Sequence, residues 1–126
     1  MEMIIGGAFQ GKEAWVKKNY PGICWKNGSE ISREELFQAE GVLGFHEFIR
    51  SEMKAGRDTE ELAGELIRRN PGILLVSDEI GYGVVPIDAF DRAYRERVGR
   101  ICTELASFSK KVVRLVCGIG TVIKDA

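Results

Sequence analysis

The 126-residue chain has one histidine, three cysteines and no excess of either charge, with 18 lysines and arginines against 19 aspartates and glutamates. Each scarcity excludes something. A formal net charge of -1 supplies no overall basic field to hold a nucleic-acid backbone, so nucleic acid is not an expected partner. Cys24, Cys102 and Cys117 are widely separated, unlike the close pairs of a zinc site, and their odd number does not suit a disulfide framework. Reduced thiols are expected. No apolar run approaches the roughly 18 residues of a spanning helix. Met1 to Gly6 carry no basic segment ahead of an apolar one, so neither a membrane span nor a secretory leader is expected. The chain is read as cytoplasmic. It has no repeat, linker or low-complexity tract.

What is present is the composition of an ordinary globular protein, 44% hydrophobic and 29% charged, at a length that suits one domain over residues 1–126. The apolar run Met3-Ile4-Ile5 ends in two glycines, and the stretch from Glu13 to Tyr20 suits a helix stopped by Pro21-Gly22. Ile23 to Trp25 reads as a second strand, Asn27-Gly28 as a turn, and Ser32 to Glu35 as a capping box starting a helix that runs to about Ala39. Gly41 to Phe45 reads as a third strand.

Helical spacing of Phe48, Ile49 and Met53 continues to Gly56, and Asp58 or Thr59 caps a further helix carrying Leu62, Ala63, Leu66 and Ile67, which Asn70-Pro71-Gly72 ends. Ile73 to Val76 is the continuous apolar run of a strand covered on both faces, pointing to a parallel sheet between helices. Asp88 to Phe108 reads as a long amphipathic helix, and Val112 to Cys117 with Thr121 to Lys124 as closing strands around Gly118-Ile119-Gly120. Trp15, Trp25, Phe45, Phe48, Phe90 and Phe108 fall on these periods as core or element-edge aromatics.

The segment Gly6-Gly7-Ala8-Phe9-Gln10-Gly11-Lys12 satisfies G-x-x-x-x-G-K between a strand and a helix. There, glycines let backbone N–H groups turn onto phosphate oxygens, the helix N-terminus adds partial positive charge, and Lys12 would reach the β- and γ-phosphates. The other reading is a glycine turn before a solvated lysine. Glu13 stands where the pattern has a Ser or Thr hydroxyl for magnesium. Its carboxylate either ligates the metal, repels phosphate, or complements the helix N-terminus of a protein without hydrolytic activity.

A second constellation, Ser77-Asp78-Glu79-Ile80-Gly81-Tyr82-Gly83, puts two carboxylates at the carboxyl end of a buried strand, the edge where open α/β sheets bind ligands. Asp78 or Glu79 would hold magnesium or take a proton from an attacking hydroxyl, although acids at strand ends also serve as turn formers. Tyr82 is placed either to stack on a ligand or to anchor its loop.

The run Ser77 to Pro86, followed by Arg92, Arg95, Gly99 and Arg100 and then by Gly118-Ile119-Gly120 and Lys124, resembles the bifunctional adenosylcobinamide kinase and adenosylcobinamide-phosphate guanylyltransferase family. The resemblance spans the glycine loop and nearly all of the chain from Ile73 onward. It implies an α/β P-loop nucleotide-binding three-layer fold with a mostly parallel sheet and a closing C-terminal β-hairpin. It also implies a cobalamin-biosynthesis enzyme that phosphorylates adenosylcobinamide with ATP or GTP and transfers GMP from GTP to the product, with Mg2+ bound.

Residue by residue, the resemblance puts Gly6, Gly7, Gly11 and Lys12 in the phosphate loop, within a nucleotide-binding run from Gly6 to Glu13. Asp78, Glu79 and Gly81 stand in the family's Asn-Glu-Val-Gly segment. Arg92, Arg95 and Arg100 match its helix arginines, whose forked donors suit phosphate. A homo-oligomer is implied as well.

This chain departs from the family in a shortened middle that lacks the His-rich segment bearing the guanylyl carrier. His46, in Gly44-Phe45-His46-Glu47, either replaces that carrier or ends the strand that holds the family's other acidic site, as a helix-start or hydrogen-bonding residue; Glu47 would partner it or a metal. The expected catalytic set is Lys12, His46, Glu47 and Glu79, with Glu13 and Glu79 on the metal. Kinase activity is expected ahead of guanylyl transfer. The reading from a different class is a regulatory or assembly protein that binds nucleotide without catalysis.

Overall fold

A computed structural model describes residues 1–8, 10–80 and 88–126; the expected roles of Phe9, Gly81 and Tyr82 lie outside them. Among the described residues six strands form one sheet in the order β2-β3-β4-β1-β5-β6. These are β1 (Glu2–Gly6), β2 (Trp25–Asn27), β3 (Gly41–Leu43), β4 (Leu74–Asp78), β5 (Lys111–Val116) and β6 (Ile119–Asp125). All neighbours pair in parallel except β5 with β6, which form an antiparallel terminal hairpin. Parallel pairing requires crossovers, and α1 (Lys12–Asn19), α2 (Arg33–Leu36), α3 (Phe45–Lys54), α4 (Leu62–Arg69) and α5 (Ala89–Phe108) lie in them.

Strand periodicity divides the core into two. Met3, Leu75 and Val112 face a cluster built with Phe45, Phe48, Leu62, Leu66, Ile101 and Leu105 from α3, α4 and α5. Their neighbours Ile4, Val76 and Val113 face the opposite way, where Val16 of α1 joins them. Successive strand residues point to opposite faces, so three consecutive apolar residues in β4 require helices on both sides. The α3–α5 layer holds more of the fully buried side chains, including Phe45, Phe48, Leu62, Leu66 and Leu105. Each such burial contributes about 1.5–3 kcal/mol relative to exposure.

Several boundaries differ from the sequence reading. Neither Asp58 nor Thr59 caps α4, which starts at Leu62 after Glu61 without a side-chain cap; Asp58 Oδ1 accepts the Glu60 N–H instead. β2 begins at Trp25, whose register partner is Gly41; a Cβ on Gly41 would lie 2.5 Å from the Trp25 ring, so the indole occupies the space a side chain would fill. The Ser32–Glu35 capping box forms as expected, but α2 stops at Leu36. The Asn70 side-chain amide donates to the carbonyls of Leu36 and Ala39, at 3.1 and 2.9 Å, which satisfies groups a longer helix would have used.

β3 stops at Leu43 because Gly44 adopts φ 72°. Phe45 therefore opens α3 rather than closing the strand. The terminal turn is Cys117-Gly118, with φ 50° and 76°, the two left-handed residues of a tight hairpin. Ile119 and Gly120 consequently belong to β6.

Candidate functional site

The sheet's carboxyl edge brings together the ends of β1, β3 and β4. The loop after β1 leads into α1 through Gly11 at φ 79°, ψ 25°, a conformation that favours glycine. Gly44 plays the same part for α3. Neither helix has a side-chain N-cap, so both begin with N–H groups that no capping side chain satisfies and with the partial positive end of the helix dipole. Both starts line a cleft of about 550 Å³ that includes Gly11, Lys12, Glu13, Gly44, His46 and Asp78.

Lys12 is the first residue of α1 and 9% exposed. Its Nζ donates to the Gly7 carbonyl at 2.6 Å and meets Asp78 Oδ1 at 2.7 Å. A nearly buried ammonium needs such partners to offset lost hydration. The loop also leans on the terminal hairpin: Cys117 N–H donates to Gln10 Oε1 at 2.6 Å, and Gly118 N–H to the Gln10 carbonyl at 2.9 Å. Gln10, expected among the nucleotide contacts, thus braces the loop against the turn.

His46 stands in the first turn of α3, facing the end of β4. Its Nδ1 accepts the Asp78 backbone N–H at 3.0 Å, while Nε2 lies 3.4 Å from both Asp78 Oδ2 and Glu47 Oε1. Burial lowers its pKa below the usual 6.5, against the opposing pull of Asp78 and Glu47, with Lys12 adding a smaller downward push. The Tyr94 hydroxyl of α5 donates to the His46 carbonyl at 3.0 Å, tying the start of α3 to the opposite layer. Burial beside Glu47 carries that phenol above its ordinary value of 10.0.

Asp78 and Glu79 diverge at the tip of β4, as successive extended residues do. Asp78 meets Lys12, whereas Glu79 accepts two bonds from Arg114, at 2.8 and 3.1 Å. Glu79 thereby lines a second cavity of about 380 Å³ on the α5 face with Ile5, Val98, Cys102, Val112 and Arg114, a cavity that Asp78 borders too. Sequence reasoning missed Arg114, although a charged residue inside the otherwise apolar Val112-Val113-Arg114-Leu115 run was a signal. It missed Tyr94 as well, which α5 periodicity marks only as core.

The expected metal ligands are therefore separated. Glu13 reaches the Lys12 cleft and lies 3.2 Å from Lys17; Glu79 faces the other cavity. Among the described residues, no group of three or more His, Cys, Asp or Glu side chains is placed to hold an ion. Magnesium accompanying a nucleotide needs only one or two protein carboxylates, the phosphates supplying other ligands. Glu13 lines this cleft with an exposed carboxylate, a donor that fits, while Asp78 is engaged by Lys12.

The arginines of α5 serve other contacts. Arg100 pairs with Glu60 and Glu96 on the outer surface. Arg92 is exposed and Arg95 half-buried, and Arg95 lines a hollow with Glu96 and Thr103. None of the three lines the Lys12 cleft. No described helix is long and apolar enough to cross a membrane.

Comparison with known proteins gives this geometry a frame. The sequence model of the cobinamide kinase / cobinamide phosphate guanyltransferase family, CobU, matches residues 31–123. The bifunctional adenosylcobalamin biosynthesis protein CobU of Escherichia coli (strain K12) is 38% identical over 52 residues, 41% of this chain and 29% of that protein. The CobU protein of Salmonella typhimurium (strain LT2) matches to the same extent, 38% over 52 residues. The match thus spans less than a third of the length of either relative, 29% in each case. The family match begins after the glycine loop, so the loop is read from its own residues and geometry.

Proposed function

We propose, since the chain belongs to the cobinamide kinase / cobinamide phosphate guanyltransferase family, that it is a P-loop phosphotransferase moving the γ-phosphoryl group of ATP or GTP to the hydroxyl of adenosylcobinamide. The observation that carries this reading is the Lys12 ammonium, held 2.7 Å from Asp78 in a cleft onto which two helix N-termini open. Family membership supports the corrinoid substrate and the nucleoside triphosphate; the cleft supports the site of transfer.

In this reading Lys12 leaves Asp78 for the β- and γ-phosphates when nucleotide enters, and the first-turn amides of α1 cradle the phosphate oxygens. The acceptor hydroxyl oxygen forms its bond to the γ-phosphorus as the bond from that phosphorus to the β–γ bridging oxygen breaks. Asp78, freed from Lys12, takes the hydroxyl proton, and nucleoside diphosphate departs. Magnesium, held by Glu13 and phosphate oxygens, would supply further charge neutralisation. Glu79, engaged by Arg114 on the far face, stays outside these steps.

The test is transfer of label from γ-labelled ATP or GTP to adenosylcobinamide, with Lys12→Ala as control. Transfer that Lys12→Ala abolishes is the expected result; no transfer under any nucleotide rejects the reading. The second reading, a nucleotide-binding protein without catalysis, is favoured by an exposed Glu13, paired with Lys17, in place of a metal-binding hydroxyl. Calorimetric nucleotide binding without transfer would select it, and absence of binding would reject both.

A homo-oligomer belongs to the same proposal. It is supported by the edge strand β6 and by Val116, Ile119, Val122 and Ile123, which the hairpin leaves exposed; sedimentation of wild type against Ile119→Ser tests it.

A further inference from the structure

The chain's only histidine is the residue from which nucleotidyl-carrier chemistry would have to start, and its surroundings point elsewhere. A ring nitrogen that accepts a hydrogen bond carries no proton there. Because His46 Nδ1 accepts the Asp78 N–H at 3.0 Å, the neutral ring holds its proton on Nε2. Nε2 lies 3.4 Å from both Asp78 Oδ2 and Glu47 Oε1.

Attack on phosphorus needs a ring lone pair directed at the phosphate. The Nδ1 pair is committed to a main-chain amide. Nε2 is protonated and flanked by two carboxylates, which repel a triphosphate. A carrier at this position would have to exchange tautomers, abandon the Asp78 amide and approach phosphate from between like charges.

The same contacts suit another task. Asp78 is the last residue of β4, in register with Gly6 at the end of β1. His46 meets this residue twice, at the main chain through Nδ1 and at Oδ2 through Nε2, leaving Oδ1 on Lys12 at 2.7 Å. The histidine is itself held, by the Gly44 turn at the start of α3 and by Tyr94 Oη on its carbonyl. We propose that His46 is a positioning residue that fixes the Asp78 carboxylate in the Lys12 cleft, and that it carries no nucleotidyl group. The functional consequence rests on the phosphotransferase reading, in which Asp78 receives the hydroxyl proton; the clamp itself does not.

Three measurements on the full chain test it. With one histidine, the imidazole gives a single set of 15N signals. The expected pattern is the neutral Nε2–H tautomer at neutral pH, with Nδ1 shifted by accepting a bond; an Nδ1–H tautomer overturns the clamp whether or not the chain is a kinase. Kinetically, His46→Ala is expected to lower kcat about 100-fold, the scale of a small misplacement, at nearly unchanged nucleotide KM. His46→Asn, whose amide oxygen replaces the Nδ1 acceptor, is expected to recover most of that loss. An equal deficit in both variants, or a deficit confined to KM, overturns the positioning role.

The third measurement uses α-labelled GTP. No label should remain on denatured wild-type protein; retained label that His46→Asn removes would establish a carrier and overturn the proposal. If wild type transfers no phosphate at all, the phosphotransferase reading fails while the 15N pattern still decides the clamp.

Discussion

Two adjacent carboxylates, Asp78 and Glu79, leave the end of β4 for different partners. Asp78 meets Lys12 in its cleft and borders the α5-side cavity as well, whereas Glu79 lines only the latter, and the two cavities differ in chemistry. The Asp78 side has a nearly buried lysine, two helix starts without side-chain caps and a histidine that holds the aspartate from behind. On the Glu79 side, one arginine pairs with the glutamate at an otherwise largely apolar cavity under α5. In the phosphotransferase reading, one residue of strand alternation therefore separates the carboxylate beside the triphosphate from one outside the reaction. Charge alone does not distinguish the two; what does is whether the cation can leave its carboxylate for a phosphate supported by helix amides.

The strongest way to break this comparison is to remove the cation on the Asp78 side. Lys12→Ala is expected to lower phosphoryl transfer by at least about 100-fold, the scale seen when one preorganised charge-stabilising donor is lost. Steady-state transfer assays with the folded variant check this. Asp78→Asn should approach the same loss in kcat, because the amide cannot take the proton. Glu79→Gln, the matched change across the sheet, should cost less than about tenfold, the 1.4 kcal/mol scale of one charge-assisted bond. A Glu79→Gln variant as inactive as Asp78→Asn would erase the distinction between the faces.

A smaller effect sharpens the electrostatics of the cleft. The groups facing His46 are Asp78 and Glu47, with Lys12 beyond and Tyr94 on its carbonyl. Burial holds its pKa below 6.5 in the folded state, so acidification through 6.5 protonates the unfolded chain first and stability falls. Above 6.5 the histidine is neutral in both states and contributes no slope. Urea titrations between neutral and mildly acidic pH should show this loss in wild type and a shallower one in His46→Asn. An unchanged slope would place the ring in water.

The smallest effect concerns thiols. Cys102 lines the Glu79-side cavity, and burial pushes its pKa up to about 11 against the Ser77 hydrogen bond, whereas Cys24 and Cys117 are exposed. Maleimide labelling near neutral pH should therefore leave Cys102 for last. Early labelling of Cys102 would mean that the cavity opens readily to solvent.

Much of the architecture was legible in the order of residues. The apolar run at Ile73 to Val76, the Ser32 capping box and the glycine loop after Met3 to Ile5 each impose a local conformation that survives in the fold. Boundaries were less legible where a distant group decided them. Asn70 shortened α2, and the Trp25 ring over Gly41 set where β2 begins.

The site divided in the same way. Lys12, Asp78 and His46 could be singled out because their types and places along the chain suggest phosphate chemistry. Nothing local revealed that Glu79 would turn to Arg114, 35 residues away, or that the arginines of α5 would stay off the cleft.

The sequence by itself determined the strand–glycine loop–helix unit, the parallel sheet and the family, because hydrophobic period, glycine conformation and motif spacing act over a few residues. Only the tertiary structure decided which carboxylate meets Lys12 and which nitrogen of His46 accepts the Asp78 amide. Those outcomes depend on which face each strand end presents and on hydrogen bonds between segments more than 30 residues apart, as between His46 and Asp78. No local pattern encodes such a contact until the sheet has closed.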